Sequence, residues 1–246
     1  MSGGELAIVL VAVIVGSVVK ALTGMGLPLV VVPIAALFTD VESAVVVIAL
    51  PNLLSNVVLA TRERSNTAET RDLPTLAAFS VAGAIVGALL FVRAPEEPLI
   101  IALVISVIVY IVLFFAKPDL QTPPDRSRRL APLVGLVAGG FQGAIGISGP
   151  IVGSWIHSYR LARGAYVLSV TVLFLVSGST QFAILVGSGK LDGRLVATLL
   201  ACIPVLASIP VGTALRDRVS GRGFDLAIIG LLGSSVVVLV VRTFVI

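Results

Sequence analysis

The chain has 246 residues, 57% of them hydrophobic and only 12% charged, with a mean hydropathy of +1.12. A soluble domain carries about 25% charged residues, so a water-soluble fold is excluded and an all-α polytopic membrane protein is expected. The net charge of +4 comes from basic residues in short loops between apolar runs, which points to membrane orientation and excludes nucleic acid as a partner.

A crossing helix needs roughly 20 apolar residues. The apolar runs fall at 5–38, 41–61, 73–92, 98–116, 130–157, 164–187, 193–215 and 224–245. The first run lacks a basic leader and many spans follow it, so it is read as a retained helix and not as a signal peptide. It is too long for one crossing and is broken by Thr23-Gly24-Met25-Gly26-Leu27-Pro28. Lys20 lies one turn before that break. A lysine at membrane depth costs at least about 2.5–3.5 kcal/mol, so it is expected to face the protein interior and to serve a purpose. Snorkelling, or pairing with helix-end carbonyls, is the plainer alternative.

The second run holds Pro51, Asn52, Ser55 and Asn56. The stretch 117–129, rich in Pro and charge, reads as a linker. Run 130–157 is again long and is broken by Gln142-Gly143-Ala144-Ile145-Gly146-Ile147-Ser148-Gly149-Pro150. It ends on Trp155, His157 and Tyr159, expected as residues of the membrane interface. Run 164–187 carries Ser177, Gly178, Ser179, Thr180 and Gln181, the rough counterparts of the Asn52–Asn56 cluster. Cys202 is the single cysteine and His157 the single histidine, so an internal disulfide and a multi-histidine metal cage are excluded. Neither a metal nor a cofactor is expected.

The runs repeat in order: long and broken, then three plain. Gly16-x-x-x-Lys20-x-x-Thr23-Gly24 aligns with Gly135-x-x-x-Gly139-x-x-Gln142-Gly143, and Val86–Leu90 with Val211–Leu215. The expected organisation is a first membrane repeat at 1–116, a linker at 117–129 and a second repeat at 130–246. Basic residues choose the path of the broken runs. If each crossed once, the loops would divide the Lys and Arg ten against six. If each goes in and returns, one side collects Arg62, Arg64, Arg71, Lys117, Arg126, Arg128, Arg129, Arg160, Arg163, Arg216, Arg218 and Arg222, and the other keeps Arg93, Lys190, Arg194 and Arg242. The second division is the better positive-inside pattern. It predicts two homologous halves as inverted repeats, each a hairpin followed by three transmembrane helices, with both chain ends outside the cytoplasm.

Paired Gly/Pro breaks in two halves of a membrane protein point to a transporter's binding site. Irregular backbone at membrane depth must be buried in protein or line a wet cavity. Pro28 and Pro150 suit the first turn of a second half-helix, whose free N–H groups and positive dipole end favour an anion. The candidate binding residues are Lys20, Thr23, Gly24, Gly26, Asn52, Asn56, Gln142, Gly143, Ser148, Gly149, Ser179 and Gln181. The alternative for the glycines is helix kinking or close packing; for the polar clusters it is interhelical bonding. Glu5, Asp40, Glu42 and Glu63 sit at run ends or in loops, so no buried carboxylate offers a proton or sodium path.

On these motifs the chain resembles the sulfite exporter TauE/SafE family, also called the 4-toluene sulfonate uptake permease family. The resemblance spans essentially the whole chain; the run of glycines frequent at the family's first break is here thinned to Gly24-Met25-Gly26. It implies multi-pass transport of small sulfur oxyanions or organosulfonates, such as sulfite, sulfonates or sulfoacetate, across the bacterial inner membrane. A secondary transporter is therefore expected, with a passive anion channel as the alternative. An integral membrane enzyme is disfavoured because no nucleophile–histidine pair or paired carboxylates cluster. A non-transporting membrane subunit is a further alternative. The expected partners are a small anionic substrate and the lipid bilayer, with a homodimer left open.

Overall fold

The computed structural model describes residues 3–23, 25–116, 121–219 and 222–244, with side chains undescribed at 21–23, 211–219, 222–228, 231, 239, 242 and 244. Its helices are α1 (Gly3–Thr23), α2 (Leu27–Ala36), α3 (Val41–Arg62), α4 (Leu73–Arg93), α5 (Glu96–Ala116), α6 (Pro124–Ile145), α7 (Gly149–His157), α8 (Arg163–Gly187), α9 (Leu195–Val219) and α10 (Arg222–Phe244). A 3-10 turn, Arg64–Glu69, joins α3 to α4. No strand occurs among the described residues. α1, α3, α4, α5 and α8 are long and apolar enough to cross a membrane. Large apolar side chains such as Val11, Leu90, Val112, Leu133 and Ile203 are exposed, as lipid contact requires.

Both long runs go in and return. In the first, Gly26 adopts φ 101° and Pro28 follows in the first turn of α2. The left-handed conformation costs glycine no steric penalty. α2 then runs back along α1: a Cβ built on Gly16 would lie 2.7 Å from Val31 Cγ2 and 3.1 Å from the Leu27 carbonyl oxygen. In the second, Gly146 at φ 73° ends α6, its N–H donating to the Gln142 carbonyl at 2.8 Å, and Pro150 opens α7. α7 returns Ser158 to the start of α6, where the Thr122 N–H donates to the Ser158 carbonyl at 3.1 Å.

Two opposite faces result. Glu5, Asp40, Glu96, Asp192 and Thr243 ring one wide bowl, which defines face A. Loop 63–72, residues 121–123 and loop 158–162 lie on the other, face B, where Gly164 abuts Asn66. Part of the stretch expected as linker is helical: Pro124 starts α6, and residues 125–129 form its first turns. Proline needs no N–H partner there.

The buried apolar residues form two clusters. One, towards face A, includes Leu29, Val30, Phe91, Leu103 and Ile145. The other, towards face B, includes Leu76, Ile156, Leu173 and Phe174. α4 and α6 pack to backbone contact: a Cβ on Gly83 or Gly87 would run into the backbone of Leu136, Gly140 and Ala144, and one on Gly135, Gly139 or Gly143 into that of Leu76, Ser80 and Ala84. A Cβ on Gly139 would overlap the Ser80 carbonyl, and one on Gly143 the Ala84 carbonyl. Small residues every fourth position let membrane helices approach to backbone contact. Gly139→Val should therefore cost about 1–3 kcal/mol or more by overpacking. Thermal unfolding in detergent should show a clearly lowered Tm, and an unchanged Tm would contradict this packing.

Candidate functional site

The two breaks meet. A Cβ on Gly146 would lie 3.8 Å from Pro28 Cβ, and one on Gly149 3.8 Å from Met25 Sδ. Between them lies a cavity of about 10 Å³ lined by Lys20, Gly26, Pro28, Leu29, Asn52, Gln142, Gly146, Ile147, Ser148, Gly149 and Phe174. Leu29 belongs to the face-A cluster and Phe174 to the face-B cluster, so the cavity sits where the two apolar cores adjoin. At that size it holds about one water.

Lys20 is 4% exposed. Its Nζ donates to Asn52 Oδ1 at 2.6 Å and to Asn56 Oδ1 at 2.7 Å. Burial at this depth excludes snorkelling. The two amides are four residues apart on α3 and so share one face of that helix. Hydrogen bonds to a charged group return about 1.5–3 kcal/mol each. Two of them offset much of the cost of burying the ammonium without neutralising it. A carboxylate here would cancel the charge; amide oxygens leave it for a ligand.

The second break supplies donors. Ser148 Oγ donates to Gln142 Oε1 at 2.8 Å, and Gln181 Nε2 donates to the Gly143 carbonyl at 3.1 Å. Gln142 and Ser148 are both 2% exposed. The buried Gln142 Nε2 and Asn56 Nδ2 have no hydrogen-bond acceptor. Leaving a buried donor unpaired costs about 1–3 kcal/mol. Gln142, which lines the cavity, therefore gains when an acceptor arrives there. The N-termini of α2 and α7 add their positive dipole ends.

The structure thus brings together Lys20, Asn52, Gly26, Gln142, Ser148 and Gly149 on one cavity, with Asn56, Gly143 and Gln181 directly behind them. Ser179 is not among them: it is exposed, while Gln181, two residues on, is 2% exposed. Helical geometry turns these two side chains about 200° apart, so only Gln181 faces inward. Gly24 and the side chain of Thr23 lie outside the described residues.

Two polar clusters escaped sequence reading. On face B, Arg71 donates to Ser127 Oγ at 2.6 Å and to the Thr122 carbonyl at 2.8 Å. Ser127 Oγ donates to Asp72 Oδ2 at 2.6 Å, and Tyr159 OH donates to the same oxygen at 3.2 Å. Arg71 also lies over the Tyr159 ring, 4.5 Å from its centroid. Tyr159 was expected at the membrane interface, but it is 7% exposed within this network and accepts from Trp155 Nε1 at 2.6 Å. Burial, and then the Asp72 charge, push its phenol up to about 12. The phenol therefore stays protonated, as donor to Asp72, at neutral pH, and its contribution is lost only as pH rises between about 10 and 12. On face A, Glu42 accepts from Lys190 and, at 3.2 Å, from Arg194, which also donates to Ser43 Oγ at 3.0 Å. Each cluster joins residues far apart in the chain.

A family model described as sulfite exporter TauE/SafE matches residues 8–239. No characterised protein and no solved structure matches the chain. The match covers nearly every helix described above, both breaks included. The chain belongs to the sulfite exporter TauE/SafE family, a family of membrane transporters.

Proposed function

We propose that this protein is a secondary transporter of small anions, with sulfur oxyanions or organosulfonates (sulfite, sulfonate, sulfoacetate) as the favoured class. The anion lies between the two breaks, near the bilayer midplane. One observation carries this reading: the buried Lys20 ammonium is held by two neutral amide oxygens, and the cavity beside it holds an unpartnered Gln142 amide N–H and no carboxylate. Such a lining offers donors and positive charge, which suits an oxyanion and repels a cation. The family match supports the sulfur-anion class.

A carrier is favoured over a channel. The cavity beside Lys20 narrows to about 10 Å³, and polar clamps join the halves on both faces. The packing also supports inverted repeats. α4 lies on α6 as α9 lies on α1, α4 meets α8 as α9 meets α3, and α5 meets α7 as α10 meets α2. A pair of related halves around a fixed site can close one face while opening the other. The reading places the chain in the bacterial inner membrane with the Arg-rich face B in the cytoplasm, and assigns it no catalytic chemistry.

Purified protein should be stabilised by sulfite, thiosulfate, small sulfonates or small carboxylates in a thermal-shift screen. Saturation with ligand at 100 times Kd adds about 2.7 kcal/mol. Stabilisation by cations alone would contradict the proposal.

A further inference from the structure

We infer, on the anion-site reading above, that Met25 sets the size of the anion that reaches Lys20. Three cavities lie in a row. The outermost, about 570 Å³, is bordered by Met25, Tyr110, Phe114, Pro150, His157 and Tyr166 in the face-B half. The next, about 120 Å³, is shared by Met25, Tyr110, Gly26, Leu29 and Gly149. The innermost, about 10 Å³, is the Lys20 cavity, which Gly26, Leu29 and Gly149 also line. Met25, Tyr110, Gly149 and Pro150 line both the first and the second, and Met25 is the flexible side chain among them.

Its position follows from the break. Met25 immediately precedes the left-handed Gly26, and its side chain reaches across to α7. There it occupies the space that a side chain at Gly153 would need: a Cβ on Gly153 would be 2.9 Å from both its Sδ and its Cε. Methionine has three rotatable bonds and a soft thioether, so it can move aside without a backbone change. The 120 Å³ beyond it suits an oxyanion with a small substituent. An apolar cavity of about 150 Å³ binds benzene. The wide outer cavity holds an aromatic ring with room to spare; the space past Met25 is smaller than that benzene-binding size. Met25 therefore admits sulfite-sized or methylsulfonate-sized anions and holds back arenesulfonates.

The test compares methanesulfonate with benzenesulfonate binding, by calorimetry on purified wild type, Met25→Ala and Met25→Leu. Wild type should prefer methanesulfonate. Met25→Ala joins the outer and middle cavities and should raise benzenesulfonate affinity about 10-fold, the scale of a change of a few methylenes in a pocket. Methanesulfonate affinity should change less than about threefold, because the contacts around Lys20 stay intact. Met25→Leu, trimmed only at its tip, should give a smaller gain in the same direction. An unchanged ratio of the two affinities in either folded variant overturns the role of Met25. Failure of wild type to bind methanesulfonate or sulfite at all would overturn the anion site and this inference together, and is told apart because the ratio is then undefined.

Discussion

Lys20→Met should abolish anion-dependent stabilisation while leaving a folded protein. The substitution keeps a flexible chain of similar length and removes only the charge. The burial penalty of the ammonium is removed, which offsets the cost of about 1–3 kcal/mol for each of the Asn52 and Asn56 oxygens left without the donor that they share at 2.6 and 2.7 Å. Losing one partner of a buried, hydrogen-bonded charge pair costs a ligand about 2–5 kcal/mol. That is a loss of affinity of at least about 30-fold. The readout is a melting transition near the wild-type Tm that no longer moves with sulfite or methanesulfonate. A shift equal to that of wild type would remove Lys20 from the site.

Asn56→Asp tests the same charge from the other side. The change is nearly isosteric and puts a carboxylate where an amide oxygen now accepts from Lys20 at 2.7 Å. An ion pair at about 4 Å with an effective dielectric of 20 is worth about 4 kcal/mol. An incoming anion would have to displace it, which weakens binding by roughly a thousandfold. The variant should be folded, since the pair satisfies both groups, and should bind no anion at accessible concentrations. Asn56→Ser, which keeps an oxygen and adds no charge, should retain binding to within a modest factor. Equal binding by Asn56→Asp and wild type would show that the Lys20 charge is not what the ligand meets.

The residues that could be read from the sequence are those whose chemistry is costly in lipid. Lys20 stood out because a buried ammonium needs a reason, and the Gly/Pro breaks because unsatisfied backbone is forbidden there. The distribution of arginines was enough to separate a returning hairpin from a single crossing. Gly26 and Gly146 are the two left-handed positions that make the returns. What could not be read depends on three-dimensional facing. Ser179 and Gln181 belong to one polar stretch, yet helical phase sends one outward and one inward. The clamps join loops more than 50 residues apart, as Arg71 with Ser127, or nearly 150 apart, as Glu42 with Lys190, and no local pattern announces such pairs. Tyr159 looked like an interface aromatic because its neighbours are Trp155 and His157; only the return of α7 carries it to Asp72. Met25 is part of the first break in the sequence, but its contact with Gly153 follows only from the placement of α7 against it.

The most direct measurement is the position of a bound anion. Selenite is a heavier congener of sulfite, and its selenium can be located by anomalous diffraction from crystals of the wild-type protein. The anomalous peak should fall between the two breaks, with selenite oxygens within hydrogen-bond distance of Lys20 Nζ and Gln142 Nε2. A peak at any other place, with the Lys20 cavity unchanged at about 10 Å³, would contradict the anion site.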